Sequence, residues 1–456
     1  MTAPHPPRVI DLPAGLAVVV GSMLGIGIFL APPQMAGAVT EPLAFFATWI
    51  AAAVVIVGGA LAYAELGTRM PRAGGDYTFQ RRALGASVAF GSGWALFGGI
   101  FAGSIATVAL AVCQYQIPTL TGLPLGDPLV TAPLLGPITG AQLMAIGLVL
   151  ALTALNVAGL RLSARTQQVV TGVPLVMLFG LAVYAIAVGG PAPVPATAAP
   201  ITAGAFATAW LAANFAFSGW NQVIYVAGEV EDPDRVIPRS LLGGTAIVTV
   251  LYLLLCAAFV AVLGMGGLAT AGEAGSALAR ALGGERLYLA VNALIALCLV
   301  ATVNGSILGG ARVGYAMARD GVFLRAAGEL DRRGSPATAL WIQAAIAVAL
   351  LLTNTVDGLL QAVSLTMVIT GALTVAAYFV IRHRDPDGPG WRAPGHPWLP
   401  GLYIGVNLWV LAVEIGKAFD AVDAGRDGAS APLIGLAIVV LAALGHAVTR
   451  GRRSAA

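Results

Sequence analysis

A group of glycines interrupts the first long apolar stretch of this chain. Gly21, Gly25 and Gly27 lie within the sequence GSMLGIGIF at 21–29. Each glycine lowers helix stability, because it gives up backbone entropy and leaves peptide groups open to other partners. A membrane helix carries such open N–H and C=O groups only where they face protein or a water-filled cavity. Exposed backbone dipoles at bilayer depth can bind a small charged solute, so the break indicates transport.

A second break of the same kind lies in the sequence NFAFSGWNQV at 214–223. Polar side chains in membrane helices usually face the bundle interior and often mark a pathway. Gly25 and Gly219 are 194 residues apart, at corresponding places in the first and sixth apolar segments. Paired, glycine-interrupted segments in two halves are typical of transporters with inverted repeats. The alternative is that both are ordinary helix-packing glycines.

The elements that carry these breaks are predicted to be membrane helices. The chain is 58% hydrophobic and 10% charged, whereas soluble domains are roughly 25% charged. A spanning helix needs about 20 apolar residues, and no polar stretch is left over for a soluble domain. The sequence therefore predicts a single transmembrane domain over 1–456 with about twelve helices, near 12–33, 42–66, 86–116, 139–160, 166–189, 203–229, 239–264, 287–317, 338–355, 358–381, 399–421 and 431–449.

The basic residues predict the orientation of these helices. With the N-terminus inside, 20 of the 24 lysines and arginines fall on the cytoplasmic side, as the positive-inside rule requires. The first segment shows no cleavage site and has full spanning length, so we expect no cleaved signal. We expect a multi-pass protein of the cytoplasmic membrane with both termini in the cytoplasm. The net charge of +3 then reflects topology, and no basic patch indicates a nucleic-acid partner.

Other classes of function lack their motifs. No H-E-x-x-H motif, no pair of aspartates within the spans and no serine–histidine pair at suitable depth indicates an enzyme. No filter-like repeat or ring of charges indicates a channel. The four histidines and three cysteines show no metal-ligand spacing, so we expect neither a metal nor a cofactor.

Five motifs in register give the chain a family resemblance over nearly its whole length. They are GSMLGIGIF, the stretch at 214–223, NGSILGGARVGYAMARDG at 304–321, YAELGTRMPRAGGDYTF at 63–79 and RHRDPDGPGWRAPGHPWLP at 382–400. Together these motifs resemble those of the amino acid–polyamine–organocation transporters, in the branch of the L-type amino acid transporters. The resemblance implies an all-α membrane fold of two inverted five-helix repeats, at 12–190 and 203–381, followed by two additional helices at 399–449.

The resemblance also implies roles for the residues of the two breaks. The backbone amides of Gly25, Ile26 and Gly27 would hold the carboxylate of an amino acid, as the positive end of a half-helix favours. Its ammonium group would lie on backbone carbonyls near the half-helix ends, at Met23, Phe215 and Ser218. Phe215 would also cover the substrate as a gate. The side-chain end of the pocket would be lined by Gly219, Trp220 and Asn221.

Two positions depart from the family pattern. Family members commonly carry serine or threonine between the glycines of the first break, where this chain has Ile26. A hydroxyl that could join carboxylate binding is therefore missing. Pro174 stands where many relatives carry a lysine, and the only lysine of the chain is Lys417. Proton coupling by a titrating lysine is thus in doubt.

Other carboxylates are candidates for gating or for coupling to a proton. Glu65 and Glu229 lie near the predicted cytoplasmic ends of segments two and six, and a buried carboxylate can carry a proton. Alternatively, both form gate salt bridges with loop arginines such as Arg72, Arg235 or Arg319. Asp76 is predicted to lie in a loop, solvated or as a gate partner. An exchanger or a uniporter needs no titrating residue.

We expect the substrate to be a neutral L-amino acid. No carboxylate is predicted close to either break, and an unpaired cationic side chain would be costly there. The expected mechanism is alternating access, in which segments one, two, six and seven move against three, four, eight and nine. An amino acid exporter or exchanger, or a permease for a non-amino-acid amine, remain alternatives, and the oligomeric state stays open.

Overall fold

The chain folds almost entirely into helices, with one short β-hairpin. The computed structural model describes residues 8–132, 136–190, 202–353 and 355–423. In chain order the elements are α1 (Leu12–Met23), α2 (Gly27–Ala38), α3 (Pro42–Arg69), α4 (Asp76–Leu84), α5 (Ala86–Trp94), a π-helix (Ala95–Phe101), α6 (Ala102–Ala111), a second π-helix (Val112–Gln116), α7 (Ile117–Thr121), β1 (Pro128–Ala132), β2 (Gly136–Thr139), α8 (Gly140–Ala158), α9 (Leu160–Val188), α10 (Ala203–Ala216), α11 (Gln222–Tyr225), a 3-10 helix (Ala227–Glu229), α12 (Pro233–Ala269), α13 (Ala274–Leu282), α14 (Glu285–Arg319), a second 3-10 helix (Arg325–Gly328), α15 (Ala337–Thr353), α16 (Val356–Arg384) and α17 (Trp398–Asp423).

The helices have the length and composition of a multi-pass membrane protein. Within the described ranges, eight helices are long and apolar enough to cross a membrane, and α1 with α2 counts as a ninth if this pair, bent by 43°, is one span. Helix α15 is apolar but shorter. The first eleven predicted segments coincide with these helices or with the broken pair α10 and α11. The segment predicted at 431–449 lies outside the described residues, and the inverted repeat stays a prediction.

Local sequence fixes where several helices begin. The Asp11 side chain accepts a hydrogen bond from the Ala14 amide at 2.9 Å at the start of α1, and Glu41 caps α3 in the same way. Thr139 and Gln142 form a reciprocal capping box at the start of α8. Each cap satisfies amides that the first helical turn leaves without partners.

Buried amides connect the helices that surround α1. Asn304 of α14 accepts a hydrogen bond from Asn156 of α8 and donates one to Gln167 of α9, both at 2.8 Å. A buried polar group without a partner is costly, so such pairs specify which helix faces meet. Helix α1 packs against α9, α12 and α14. This framework holds the C-terminal end of α1 at the centre of the molecule.

Candidate functional site

The first glycine-rich stretch is a break between two helices, as the sequence predicts. Helix α1 ends at Met23 and α2 begins at Gly27. The Thr302 hydroxyl of α14 lies 3.2 Å from the carbonyl oxygens of both Gly21 and Leu24. The Tyr252 hydroxyl of α12 donates a hydrogen bond to the carbonyl of Met23. Carbonyls released by the break are therefore met by side chains of neighbouring helices, which is what allows such a break inside a bundle.

The amides of this break are only partly available to a ligand. The Gly25 amide donates to the Met23 carbonyl at 2.7 Å, and its role in holding a carboxylate stays a prediction. Across the residues that the structure covers, the amides of Ile26 and Gly27 have no hydrogen-bond acceptor. They lie at the start of α2, where the helix dipole favours an anion.

The second break lies directly against the first. Helix α10 ends at Ala216, residues 217–221 form turns, and α11 begins at Gln222. Gly219 has φ +93°, and a β-carbon there would lie 2.6 Å from the carbonyl oxygen of Ser22. A β-carbon on Gly27 would lie 3.1 Å from the backbone nitrogen of Ala216. Glycine is required at both positions because the backbones of the two broken helices touch.

All the residues that the sequence predicts to bind substrate surround one cavity between these breaks. Its volume is about 70 Å³. The cavity is lined by the predicted residues Met23, Gly25, Ile26, Gly27, Phe215, Ser218, Gly219, Trp220 and Asn221. Their convergence is a structural finding, whereas their role in binding stays a prediction.

The carbonyls predicted to hold an ammonium group differ in availability. The carbonyl of Met23 accepts the Tyr252 hydroxyl, and the carbonyl of Phe215 accepts the Ser218 amide at 2.9 Å. Among the described residues, no donor is bonded to the carbonyl of Ser218. This leaves Ser218 as the free acceptor of the three.

Asp76 also lines the cavity, which corrects two expectations from the sequence. It was expected to lie in a loop, either solvated or as a gate partner, and no carboxylate was expected near the breaks. Instead Asp76 is the first residue of α4 and is 1% exposed. Gly74 and Gly75 precede it with φ of +105° and +49°, and this turn directs the chain back into the protein. The glycine pair in RAGGDY is the sequence signal that could have indicated a buried aspartate.

Hydroxyl groups from three helices bind the Asp76 carboxylate. Tyr63 of α3 and Tyr225 at the end of α11 donate short hydrogen bonds to it, and Thr374 of α16 donates at 2.6 Å. Burial raises the pKa of the Asp76 carboxyl, and the hydrogen bonds from Thr374, Tyr225 and Tyr63 lower it by less. Helix α4, which carries Asp76, is not one of the helices that are long and apolar enough to span a membrane.

Further lining residues carry no signal in the sequence that singles them out. Ser22 is buried, and its hydroxyl has no hydrogen-bond partner within the described ranges.

The rings of Tyr63 and Trp220 meet edge to face with centroids 4.8 Å apart, and Trp220 also contacts Tyr403. The Gln222 amide donates to the Gly305 carbonyl of α14 at 2.6 Å. Aromatic rings thus close the end of the cavity formed by Trp220.

A family model described as "Amino acid permease" matches residues 10–443, which is nearly the whole chain. The chain belongs to this family. This places the permease in the amino acid–polyamine–organocation superfamily, as the resemblance of its motifs predicts, and its family is one of transporters rather than enzymes.

Curated relatives of the permease are amino acid transporters and exchangers. It is 27% identical over 414 residues to the serine/threonine exchanger SteT of Bacillus subtilis, covering 88% of this chain and 90% of that protein. It is 28% identical to the large neutral amino acids transporter small subunit 2 of Rattus norvegicus, covering 83% and 71%. It is 24% identical to the b(0,+)-type amino acid transporter 1 of Mus musculus, covering 89% and 82%.

The two glutamates predicted to gate or couple are ion-paired, with other arginines than expected. Glu229 binds Arg312 of α14, with oxygen and nitrogen 3.0 Å apart and both side chains buried. Glu65 binds Arg69 at 2.8 Å and Arg382 of α16 at 2.7 Å. The expected partners Arg72, Arg235 and Arg319 form none of these pairs. Both glutamates lie outside the lining of the cavity.

The lysine position of the family is occupied by a buried proline in this permease. Pro174 lies within α9. Lys417 binds the Gly204 carbonyl, Thr208 and Glu414, and none of these residues lines the cavity. No lysine therefore lines the cavity among the described residues.

Proposed function

We propose that the permease is a secondary active transporter that moves neutral L-amino acids across the cytoplasmic membrane by alternating access. One observation carries this proposal: two glycine breaks meet around a single cavity, and the unpaired amides of Ile26 and Gly27 lie in its lining. Binding between broken helices is how transporters of this architecture present backbone dipoles to a charged solute.

The substrate carboxylate would accept hydrogen bonds from the amides of Ile26 and Gly27. These two donors at the start of α2 combine unpaired N–H groups with the positive end of the helix dipole. The carbonyl of Ser218, which has no donor among the described residues, would accept from the substrate ammonium. The two groups shared by all α-amino acids would thus be recognised by backbone alone.

A neutral side chain fits the remaining part of the cavity. Asp76 is the lining carboxylate, and its charge is already met by three hydroxyl donors, so a cationic side chain would gain little from it. Trp220, Tyr63 and Tyr403 supply an aromatic wall. One relative is named for the exchange of serine and threonine, and another is named for the transport of large neutral amino acids. A closed volume of about 70 Å³ favours the smaller side chains.

Alternating access would open this cavity to one side at a time. The ion pairs of Glu229 with Arg312 and of Glu65 with Arg382 lie toward the side that the arginine distribution predicts to be cytoplasmic. At the opposite side, Gly27 of α2 lies against Ala216 of α10, and Phe215 would act as the gate. We propose that α1–α3 and α10–α12 move against α5–α8, α14 and α15.

Counterflow in liposomes tests this function. Purified permease is reconstituted with unlabelled L-serine or L-leucine inside, and uptake of the same labelled amino acid is measured. We expect uptake from both, faster with serine, and much slower uptake into liposomes without internal amino acid if the permease is an exchanger. An absence of uptake with a panel of neutral amino acids, under exchange and under gradient conditions, would refute the proposal.

A further inference from the structure

Asp76 differs from the other buried carboxylates of the described chain. Those carboxylates are Glu65, Asp76 and Glu229. Glu65 and Glu229 are paired with arginines, but within the part of the chain that the structure describes no basic nitrogen lies within 4.0 Å of Asp76. Asp76 is also the one of the three that lines the cavity between the breaks. A buried carboxylate that has no neighbouring cation can be neutralised by binding a proton instead.

Two of the hydroxyl groups that bind Asp76 are themselves oriented by side-chain amides. The Tyr225 hydroxyl accepts from the Asn221 amide at 3.4 Å, and the Thr374 hydroxyl accepts from the Gln80 amide at 2.8 Å. The protons of both hydroxyls are thus directed to Asp76. These two donors stabilise the ionised carboxylate, and the Tyr63 hydroxyl can donate a third hydrogen bond to it.

The groups that face Asp76 from the neighbouring helices are neutral. The tyrosines that face it come from α3, α11 and α17, namely Tyr63, Tyr225 and Tyr403. Helix α16 presents Thr374, while its Arg382 is bound to Glu65. On α14, Arg312 is bound to Glu229, and α5 has no ionisable residue. On α4 itself, Arg81 is paired with Asp320.

We propose that Asp76 is the proton-binding site of the permease and that its ionised form is a latch that holds one of the two moving parts against helices α4 and α16. This inference rests on the proposed transport function. The latch joins α3 and α11, which belong to the proposed moving part, to α4 and α16. It lies directly under the substrate cavity, so the latch must open before the cavity opens to the predicted cytoplasmic side.

Protonation would open the latch through Tyr63. A proton from water binds one carboxylate oxygen of Asp76, and the neutral acid then becomes a donor and a weaker acceptor. One of the three hydroxyls must therefore stop donating. In the described residues Tyr63 makes no second hydrogen bond, whereas Tyr225 and Thr374 are oriented by Asn221 and Gln80. Tyr63 can turn its proton away and accept the proton of the neutral acid, so the charge-assisted hydrogen bond becomes a weaker neutral one and the hold on α3 is loosened. The proton returns to water when the carboxylate is ionised again and the latch re-forms.

Reconstituted permease with the substitution Asp76→Asn tests the proposal. Counterflow of labelled L-serine and L-leucine is measured over a range of symmetrical pH, and uptake into liposomes without amino acid is measured under an inwardly directed pH gradient. A trapped pH-sensitive dye reports proton entry. For the unsubstituted permease we expect uptake driven by the gradient, together with acidification of the lumen. In Asp76→Asn, whose side chain is neutral at every pH, we expect counterflow that no longer varies with pH, and at least a tenfold loss of gradient-driven uptake relative to that counterflow.

A second pair of variants keeps the proposal testable if Asp76→Asn does not fold. Thr374→Ala removes one donor to the ionised carboxylate, so the midpoint of the pH profile should move to higher pH. Thr366→Ala is the matched control on the same helix, because the Thr366 hydroxyl donates to the Ala362 carbonyl and to no other acceptor among the described residues, and it should leave the midpoint unchanged.

Three results would overturn the role of Asp76. The first is counterflow without any effect of pH or of a pH gradient in the unsubstituted permease. The second is gradient-driven uptake and lumen acidification retained in Asp76→Asn. The third is equal midpoints of the pH profile in Thr374→Ala and Thr366→Ala. Absence of counterflow for every amino acid would instead contradict the proposed transport function, so the two failures can be distinguished.

Discussion

Replacement of Gly219 by alanine tests whether the contact between the two breaks is required for transport. Gly219 has φ +93°, and an alanine β-carbon would lie 2.6 Å from the Ser22 carbonyl oxygen, 2.7 Å from its carbonyl carbon and 2.8 Å from its β-carbon. Ordinary carbon–oxygen contacts lie at about 3.3–3.6 Å. The two breaks would therefore have to separate by about 0.7–1 Å, or the turn would have to change its conformation.

Two costs add at this position. A non-glycine residue in a sparsely populated backbone conformation costs about 1–3 kcal/mol, and overpacking against a neighbour costs about 1–3 kcal/mol more. Only the second cost depends on the contact with Ser22. It disfavours the conformation in which the breaks touch by a factor of about 5–150, and we expect counterflow to fall by at least about fivefold.

Gly85 provides a control with the same backbone strain. It also has φ +93°, but a β-carbon there would meet no atom within 4 Å. We expect Gly85→Ala and Gly219→Ala both to lower the midpoint of thermal unfolding in detergent, while only Gly219→Ala strongly reduces counterflow per folded molecule. Counterflow at the unsubstituted rate in Gly219→Ala would refute the close packing of the breaks as a requirement for transport. Equal losses in both variants would attribute the effect to backbone strain.

The remaining predictions concern ion pairs and the first break. Glu229→Gln should destabilise the permease by about 3–5 kcal/mol, because it leaves Arg312 buried without its partner; a lowered thermal midpoint that is partly restored by Arg312→Met would check this. Gly27→Val should abolish counterflow of every amino acid without preventing membrane insertion, and full activity would contradict the site. Tyr252→Phe removes the donor to Met23 and Ala216 and should lower stability by about 1–3 kcal/mol. An unchanged thermal midpoint would show that these carbonyls do not depend on it.

The architecture around the breaks could be predicted because its signals are local in the sequence. Glycines at 25, 27 and 219 mark where helices stop, and apolar stretches mark where they continue. The same positions converge on one cavity. The hydrogen bond from the Gly25 amide to the Met23 carbonyl could not be predicted, because it depends on the exact backbone angles of the turn.

Partners that are distant in the sequence could not be predicted from a single chain. Arg312 lies within the apolar segment predicted at 287–317 and pairs with Glu229 of a different helix. Because the two residues are distant in the sequence, neither one indicates the other. Asp76 was expected to be solvated because it follows a short polar stretch between apolar segments. Its burial depends on the turn at Gly74 and Gly75 and on hydroxyls from three other helices, which only the folded chain brings together.

The carboxylate of the substrate is the most direct test of the site. Unlabelled L-serine and ethanolamine, which is serine without its carboxylate, are compared as competitors of labelled L-serine counterflow. Two hydrogen bonds to a charged group contribute about 1.5–3 kcal/mol each, so binding through the Ile26 and Gly27 amides predicts that ethanolamine competes at least about 100-fold less well. Equal competition by the amine and the amino acid would contradict the recognition of a carboxylate between the two breaks.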